Sequence, residues 1–253
     1  MRVEGIEHER LLYEIIGSIS KLNAPIIFKG ALITKLILAE NQFKEIARKT
    51  VDIDANWIDE PPDMQHLAAI INQSLITVSP DLSARPIREY GDRKSAGISI
   101  VDIATEKQVV EMDISINKYQ KGRTYAYGEL IIKGVLPTEI LADKISVISG
   151  GKIFRRAKDI IDVYALTHCV EVKTIDIYES HKRNGRVLGD FAEFRDRVND
   201  LNHAYQKLRG IDNKPGFEHV YQHVSRFVEP FELSGPVDMV WNYRDLNWVE
   251  TLE

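Results

Sequence analysis

The sequence predicts an α+β protein: a mixed sheet with flanking helices over residues 1–136, then a helical C-terminal part over 137–253. Three observations carry this. A chain of 253 residues suits one large domain or two intimate ones. Apolar residues at 44% and charged residues at 28% give an ordinary globular balance, which excludes wholesale disorder. Alternating apolar and polar runs crowd the first half, whereas beyond about residue 170 only helical spacing recurs.

Each element follows from its own pattern. Residues 6–21 place Leu11, Leu12, Ile15, Ile16 and Ile19 at helical spacing, and Asn23, Ala24 and Pro25 end that helix. Ile26–Phe28 read as a short strand, Lys29-Gly30-Ala31 as a tight turn, and 32–39 as a helix. Residues 41–50 read as a polar connection. The alternation of 51–58 predicts a strand, and Leu67, Ile70, Ile71 and Leu75 predict a helix over 63–76. Strands are expected at 97–103, 109–116 and 124–132, then a helix over 137–148 with Pro137 at its start, where proline is tolerated. A helix over 153–168 follows the Gly150-Gly151 loop, and further helices are expected at 171–183, 190–209 and 216–229, with the last 20 residues irregular.

Composition narrows the function. No run of about 18 uninterrupted apolar residues exists, so no membrane-spanning helix is expected. The N-terminus mixes acids and bases and does not read as a signal peptide. The single cysteine, Cys169, excludes an internal disulfide framework and reads as a small buried hydrophobe. These points predict a cytoplasmic protein. A net charge of −5 argues against a globally basic nucleic-acid binder. Locally, residues 121–158 carry eight Lys/Arg against three acids, which suits triphosphate or RNA backbone. His219 and His223 have the i, i+4 spacing of a zinc pair, but no third ligand is signalled, and both read as surface histidines.

The sharpest chemical signal is Asp52-Ile53-Asp54 on a strand. Residues i and i+2 point to one face, and two carboxylates that close repel unless a cation lies between them. Hard oxygen ligands suit Mg²⁺ or Mn²⁺, which commonly take one or two carboxylates and complete their shell with substrate phosphate. Asp113, an acid within the apolar strand VEMDISI, is the candidate third carboxylate, with Asp102 as a competitor. The turn Lys29-Gly30-Ala31 opens a helix whose first N–H groups suit a phosphate.

Four stretches occur in the order FKGALITKL (28–36), ARKTVDIDANW (47–57), VEMDISI (110–116) and EILADKISVISGGKIFRRAKDIIDVYAL (139–166). Together they resemble the nucleotidyltransferase AbiEii/AbiGii toxin family, a branch of the polymerase-β-like nucleotidyltransferases, over roughly residues 25–170. The resemblance implies that fold, with the C-terminal helices completing the active-site cleft. It implies that Lys29, Gly30, Ala31, Thr34 and Arg48 hold the triphosphate and that Asp52, Asp54 and Asp113 hold metal. Lys144 and Asp159 match the family's later lysine and acid, with Asp162 beside them. The implied reaction moves NMP from an NTP to an acceptor such as RNA or tRNA, in a toxin paired with a cognate antitoxin. Ala31 stands where the family usually carries Gly or Ser, which keeps a second reading open: a catalytically weak nucleotide- or partner-binding module of the same fold. A metal-dependent phosphohydrolase is a third.

Overall fold

The computed structural model describes residues 6–91, 95–116, 118–233 and 237–251. In chain order the elements are α1 (Ile6–Lys21), β1 (Ile26–Lys29), α2 (Gly30–Glu40), β2 (Ala47–Arg48), β3 (Asp52–Trp57), α3 (Met64–Leu75), β4 (Leu82–Arg88), β5 (Ser95–Asp102), β6 (Gln108–Ser115), β7 (Gly122–Tyr127) and β8 (Leu130–Val135). There follow α4 (Pro137–Ile148), α5 (Ala157–Thr167), β9 (Val172–Lys173), α6 (Thr174–Arg183), α7 (Ala192–Asp196), α8 (Val198–Lys207), β10 (Ile211–Asp212), α9 (Phe217–Val228), β11 (Met239–Asn242) and β12 (Asn247–Glu250). The chain forms two compact units, one of residues 1–36 and 50–135, the other of 37–49 and 136–253.

The first unit is a seven-stranded sheet in the order β4-β5-β6-β3-β1-β8-β7. It is mixed: β3 runs parallel to β6 and β1 parallel to β8, and the remaining pairs are antiparallel. Helix α1 buries Leu12, Ile15, Ile16 and Ile19 completely, each such side chain contributing about 1.5–3 kcal/mol. Helix α3 begins at its N-cap Asp63, whose carboxylate accepts from the His66 N–H at 2.8 Å, and it buries Leu67, Ile71 and Leu75. Residues 124–132, expected as one strand, are instead a hairpin: β7 and β8 turn at Gly128, whose φ of +58° is left-handed.

The second unit is not purely helical. Its helices α4 to α9 are joined by a two-stranded ribbon, β10-β2, and a three-stranded sheet, β12-β11-β9. The expectations of no strand past residue 170 and of an irregular tail are therefore corrected. The tail is a hairpin anchored by its tryptophans. The Trp241 indole N–H donates to the Thr167 carbonyl at 2.8 Å, and that of Trp248 to Phe227 at 3.0 Å. The rings of Phe227, Trp241 and Trp248 pack at centroid distances of 5.1–5.4 Å. The expected helix 153–168 is a 3₁₀ turn, Ile153–Arg155, followed by α5.

Candidate active site

In the first unit, strand register builds a row of charged side chains. Lys29 on β1 is paired with Asp54 on β3, Asp54 with Asp113 on β6, Asp113 with Gly97 on β5, and Gly97 with Arg88 on β4. Paired residues share a sheet face, so the row Lys29, Asp54, Asp113, Arg88 lies on one face, with Gly97 as the gap in it. The gap has a use: a Cβ at Gly97 would lie 3.2 Å from the Arg88 Cβ and 3.5 Å from its Cζ. Lacking that Cβ, Gly97 lets Arg88 cross β5 and reach Asp113, with Nη2 and Oδ1 2.9 Å apart. Asp52 is paired with Glu111 and lies two residues from Asp54 on the same face.

Gly30 opens α2 with φ +70°, a left-handed conformation that glycine adopts without a Cβ penalty. An added Cβ would collide with Oδ2 of Asp54 and lie 3.0 Å from its Cγ. The Asp54 carboxylate is thus laid against the start of α2, where the helix dipole favours negative charge. The Lys29 ammonium donates to Asn56 Oδ1 at 2.7 Å and to Ser115 Oγ at 3.0 Å. Ala31 and Thr34 are buried, and the Thr34 hydroxyl donates to the Gly30 carbonyl at 3.0 Å within the helix.

The donor set suits a hard divalent cation. Asp52 is exposed and Asp54 half-buried, and both offer carboxylate oxygens on one face beside a glycine that a side chain would fill. Among the described residues no group of three His, Cys, Asp or Glu gathers as a complete cage. A Mg²⁺ site commonly takes one or two carboxylates, with substrate phosphate completing the shell. Asp113 is already engaged by Arg88. Asp102, the competitor, is occupied locally: its carboxylate accepts from the Thr105 N–H and hydroxyl, both at 2.8 Å, which holds it below its usual value.

The second unit assembles the other predicted residues into a compact ion cluster. Arg48, on β2, is held by β10 through the pairing Ile211↔Arg48. Its Nη1 lies 2.6 Å from both carboxylate oxygens of Asp162 on α5. Lys144, on α4, donates to Asp159 Oδ1 at 2.7 Å and lies 3.0 Å from Asp162 Oδ2. Asp159 and Asp162 share a helix face at i, i+3. Burial alone would lower the Lys144 ammonium, but the Asp162 and Asp159 carboxylates outweigh it and hold it above its ordinary value. Burial alone would raise Asp162, but Lys144 and Arg48 outweigh it and hold the carboxyl below its ordinary range. The acids of α5 are thus met by Lys144, which comes from the neighbouring helix α4.

Three contributors escaped the sequence reading: Asn56, Ser115 and Arg88. The first two had a signal, since each lies two residues beyond a candidate acid and so on its face. Arg88 had none, because its role depends on strand order. His223 is buried, not superficial. Its Nε2 is 2.7 Å from Thr167 Oγ1, and its ring stacks on His168 at 4.3 Å. Cys169 is buried, with Sγ 3.3 Å from the Ala165 carbonyl, and burial pushes its thiol up to about 12.

The family described as nucleotidyl transferase AbiEii toxin, type IV toxin–antitoxin system, matches residues 10–231. Among solved structures, the chain is similar to MenT4, a nucleotidyltransferase toxin from Mycobacterium tuberculosis H37Rv, with 10% identity, a TM-score of 0.43, and 74% of this chain and 69% of that one covered. It is also similar to an antigenic nucleotidyltransferase-like protein from Paracoccidioides brasiliensis, with 15% identity, a TM-score of 0.44, and 79% and 92% covered. No curated protein matches.

Proposed function

The chain belongs to the AbiEii nucleotidyl transferase toxin family of type IV toxin–antitoxin systems, and from that premise we propose that it transfers NMP from an NTP to an acceptor. One observation carries the reading: Gly30 leaves room for nothing larger than hydrogen between the start of α2 and the Asp54 carboxylate. This brings helix N–H groups, suited to phosphate, next to an acid suited to metal.

Asp52 and Asp54 would hold Mg²⁺ or Mn²⁺. Such an ion, when bound, neutralises phosphate charge and supports in-line displacement at phosphorus. The chain's own residues do the rest. Backbone N–H groups from Gly30 onward bind phosphate oxygens. Lys29, oriented by Asn56 and Ser115, adds a fixed positive charge. Asp113, tied to Arg88, is assigned to positioning on the same face. Arg48, Lys144, Asp159 and Asp162 form a preorganised charged cluster that turnover also requires, in line with the value of electrostatic groups that need no reorganisation. RNA, tRNA included, is the proposed acceptor class, and a cognate antitoxin the proposed protein partner.

The test is purified protein, each NTP labelled at the α- or γ-phosphate, Mg²⁺ and total RNA. α-Label in RNA with release of pyrophosphate is expected. Inorganic phosphate from the γ-position without α-label transfer would favour a phosphohydrolase instead. One observation favours the binding-module reading: with Ala31 buried and the Thr34 hydroxyl spent on Gly30, no hydroxyl serves the phosphate, and the grip rests on backbone groups and Lys29. NTP binding without transfer to RNA, to protein or to small acceptors would select that reading.

A further inference from the structure

The first unit carries a cavity of about 510 Å³ outside the residues assigned above, within the range of about 300–1,000 Å³ typical of small-molecule sites. Pro25, Ile27 and Ile58 give it an apolar wall, and Gln120, Arg123 and Lys133 also line it. No described lining residue is acidic. Lys133 extends to Asn23, another lining residue, with Nζ 2.9 Å from its Oδ1. Ile27 lies two residues before Lys29 on β1 and so shares its sheet face. The wall is wired to the proposed phosphate turn. Gln120 Oε1 accepts from the Asn56 amide, and Asn56 Oδ1 accepts from Lys29 Nζ at 2.7 Å.

We propose that this cavity is a second, metal-independent site for a nucleoside monophosphate unit, either a free nucleotide or one nucleotide of single-stranded RNA. The ligand class follows from the lining. Arg123 lies over the Tyr125 ring at 4.3 Å, so Lys133, in a lining with no described acid, is the group that selects an anion and disfavours a chelated cation. The aliphatic wall of Pro25, Ile27 and Ile58 suits the flat face of a base by van der Waals packing. Amide groups at the margin suit the donors and acceptors of its edge. The proposal goes beyond nucleotidyl transfer and does not depend on it.

AMP, GMP, CMP, UMP and inorganic phosphate are titrated calorimetrically into the full chain in EDTA. At least one nucleotide is expected to bind, and more tightly than phosphate. Lys133→Glu should weaken it by about ten-fold or more through charge reversal. Thr124→Trp, at an exposed strand position lining the cavity, should weaken it comparably by filling the space. Asp54→Ala, which disables the metal site, should leave it unchanged, and thermal melts verify that each variant is folded. Competition by the tetranucleotide UUUU against the bound mononucleotide assigns the site to a strand, and its failure assigns it to free nucleotide. No mononucleotide binding, phosphate binding as tight as nucleotide binding, or loss in Asp54→Ala with retention in both cavity variants would overturn the proposal.

Discussion

Gly30 is the position where local conformation and chemistry meet. Its φ of +70° would cost an L side chain about 1–2 kcal/mol, and a Cβ there would push into the Asp54 carboxylate. Gly30→Ala should therefore abolish nucleotide transfer while leaving a folded protein with a modestly lower melting temperature. Transfer at wild-type rate would show that the close approach is irrelevant. Lys144 calls for a different expectation. It is enclosed by Asp159 and Asp162, so Lys144→Ala leaves Asp162 to Arg48 and leaves Asp159 only Arg156, 3.8 Å away. Removing one partner of a buried ion cluster costs about 3–5 kcal/mol, so a clear fall in stability should accompany loss of activity. A double-mutant cycle with Asp159→Asn should show strong coupling, and additive effects would mean that the pair is not formed. Asp52 and Asp54 were legible from sequence because a strand has period two. The role of Asp162 as the hub was less so, because Arg48 lies 114 residues away along the chain and meets it only after β2 has found β10.

At the scale of elements, long amphipathic segments were readable and short ones were not. Helices α1 and α4 match their expected spans because apolar spacing over several turns fixes them, with Pro137 marking the start of α4. Strands β9 and β10 have two residues each, too few for any periodicity, and exist through their partners. The tail hairpin hides behind bulky aromatics whose partners are on α5 and α9. Helix α9 and His168, the residue that caps α5, form a histidine cluster with a pH signature. The His223 pKa is pushed down to about 3 from 6.5, by burial first and then by His168, Arg226 and His219 nearby. His168, against Tyr164 and near Glu45, is also lowered, chiefly by burial. The unfolded chain thus binds more protons than the folded one between pH 6.5 and 3. Stability should be fully present above pH 6.5 and fall on acidification by up to about 1.4 kcal/mol per pH unit for His223. His223→Phe should flatten that slope in urea titrations at pH 5 and 7.5, since the Thr167 hydroxyl still has the Val163 carbonyl. An unchanged slope would exclude His223 as its source.

For the whole molecule, charge placement separates structural from recognition roles. The basic window 121–158 loses Lys144 to the buried cluster and Lys133 to the cavity wall, but Arg155, Lys152 and Lys158 are exposed. Arg155 lies 5.6 Å from the ring of Phe154, itself 41% exposed, and Arg197 lies 5.9 Å from the same ring. A base-stacking aromatic flanked by cations is a pattern for single-stranded RNA. Arg155→Glu should weaken RNA binding and lower its salt slope by about one, with Mg²⁺–NTP affinity unchanged; unaltered RNA affinity would move the acceptor surface elsewhere. The sign of the window was readable in the sequence, whereas which cations reach solvent was decided by packing. No described helix is long and apolar enough to cross a membrane. In the proposed site the Gly30–Asp52–Asp54 face binds metal and nucleotide together. Calorimetry of NTP binding with Mg²⁺ and with EDTA, in the wild type and in Asp54→Asn, tests it most directly. A Mg²⁺-dependent gain in affinity that disappears in Asp54→Asn while the melting temperature is retained is expected, and an equal Mg²⁺-dependent gain in both proteins would show that Asp54 does not hold the metal.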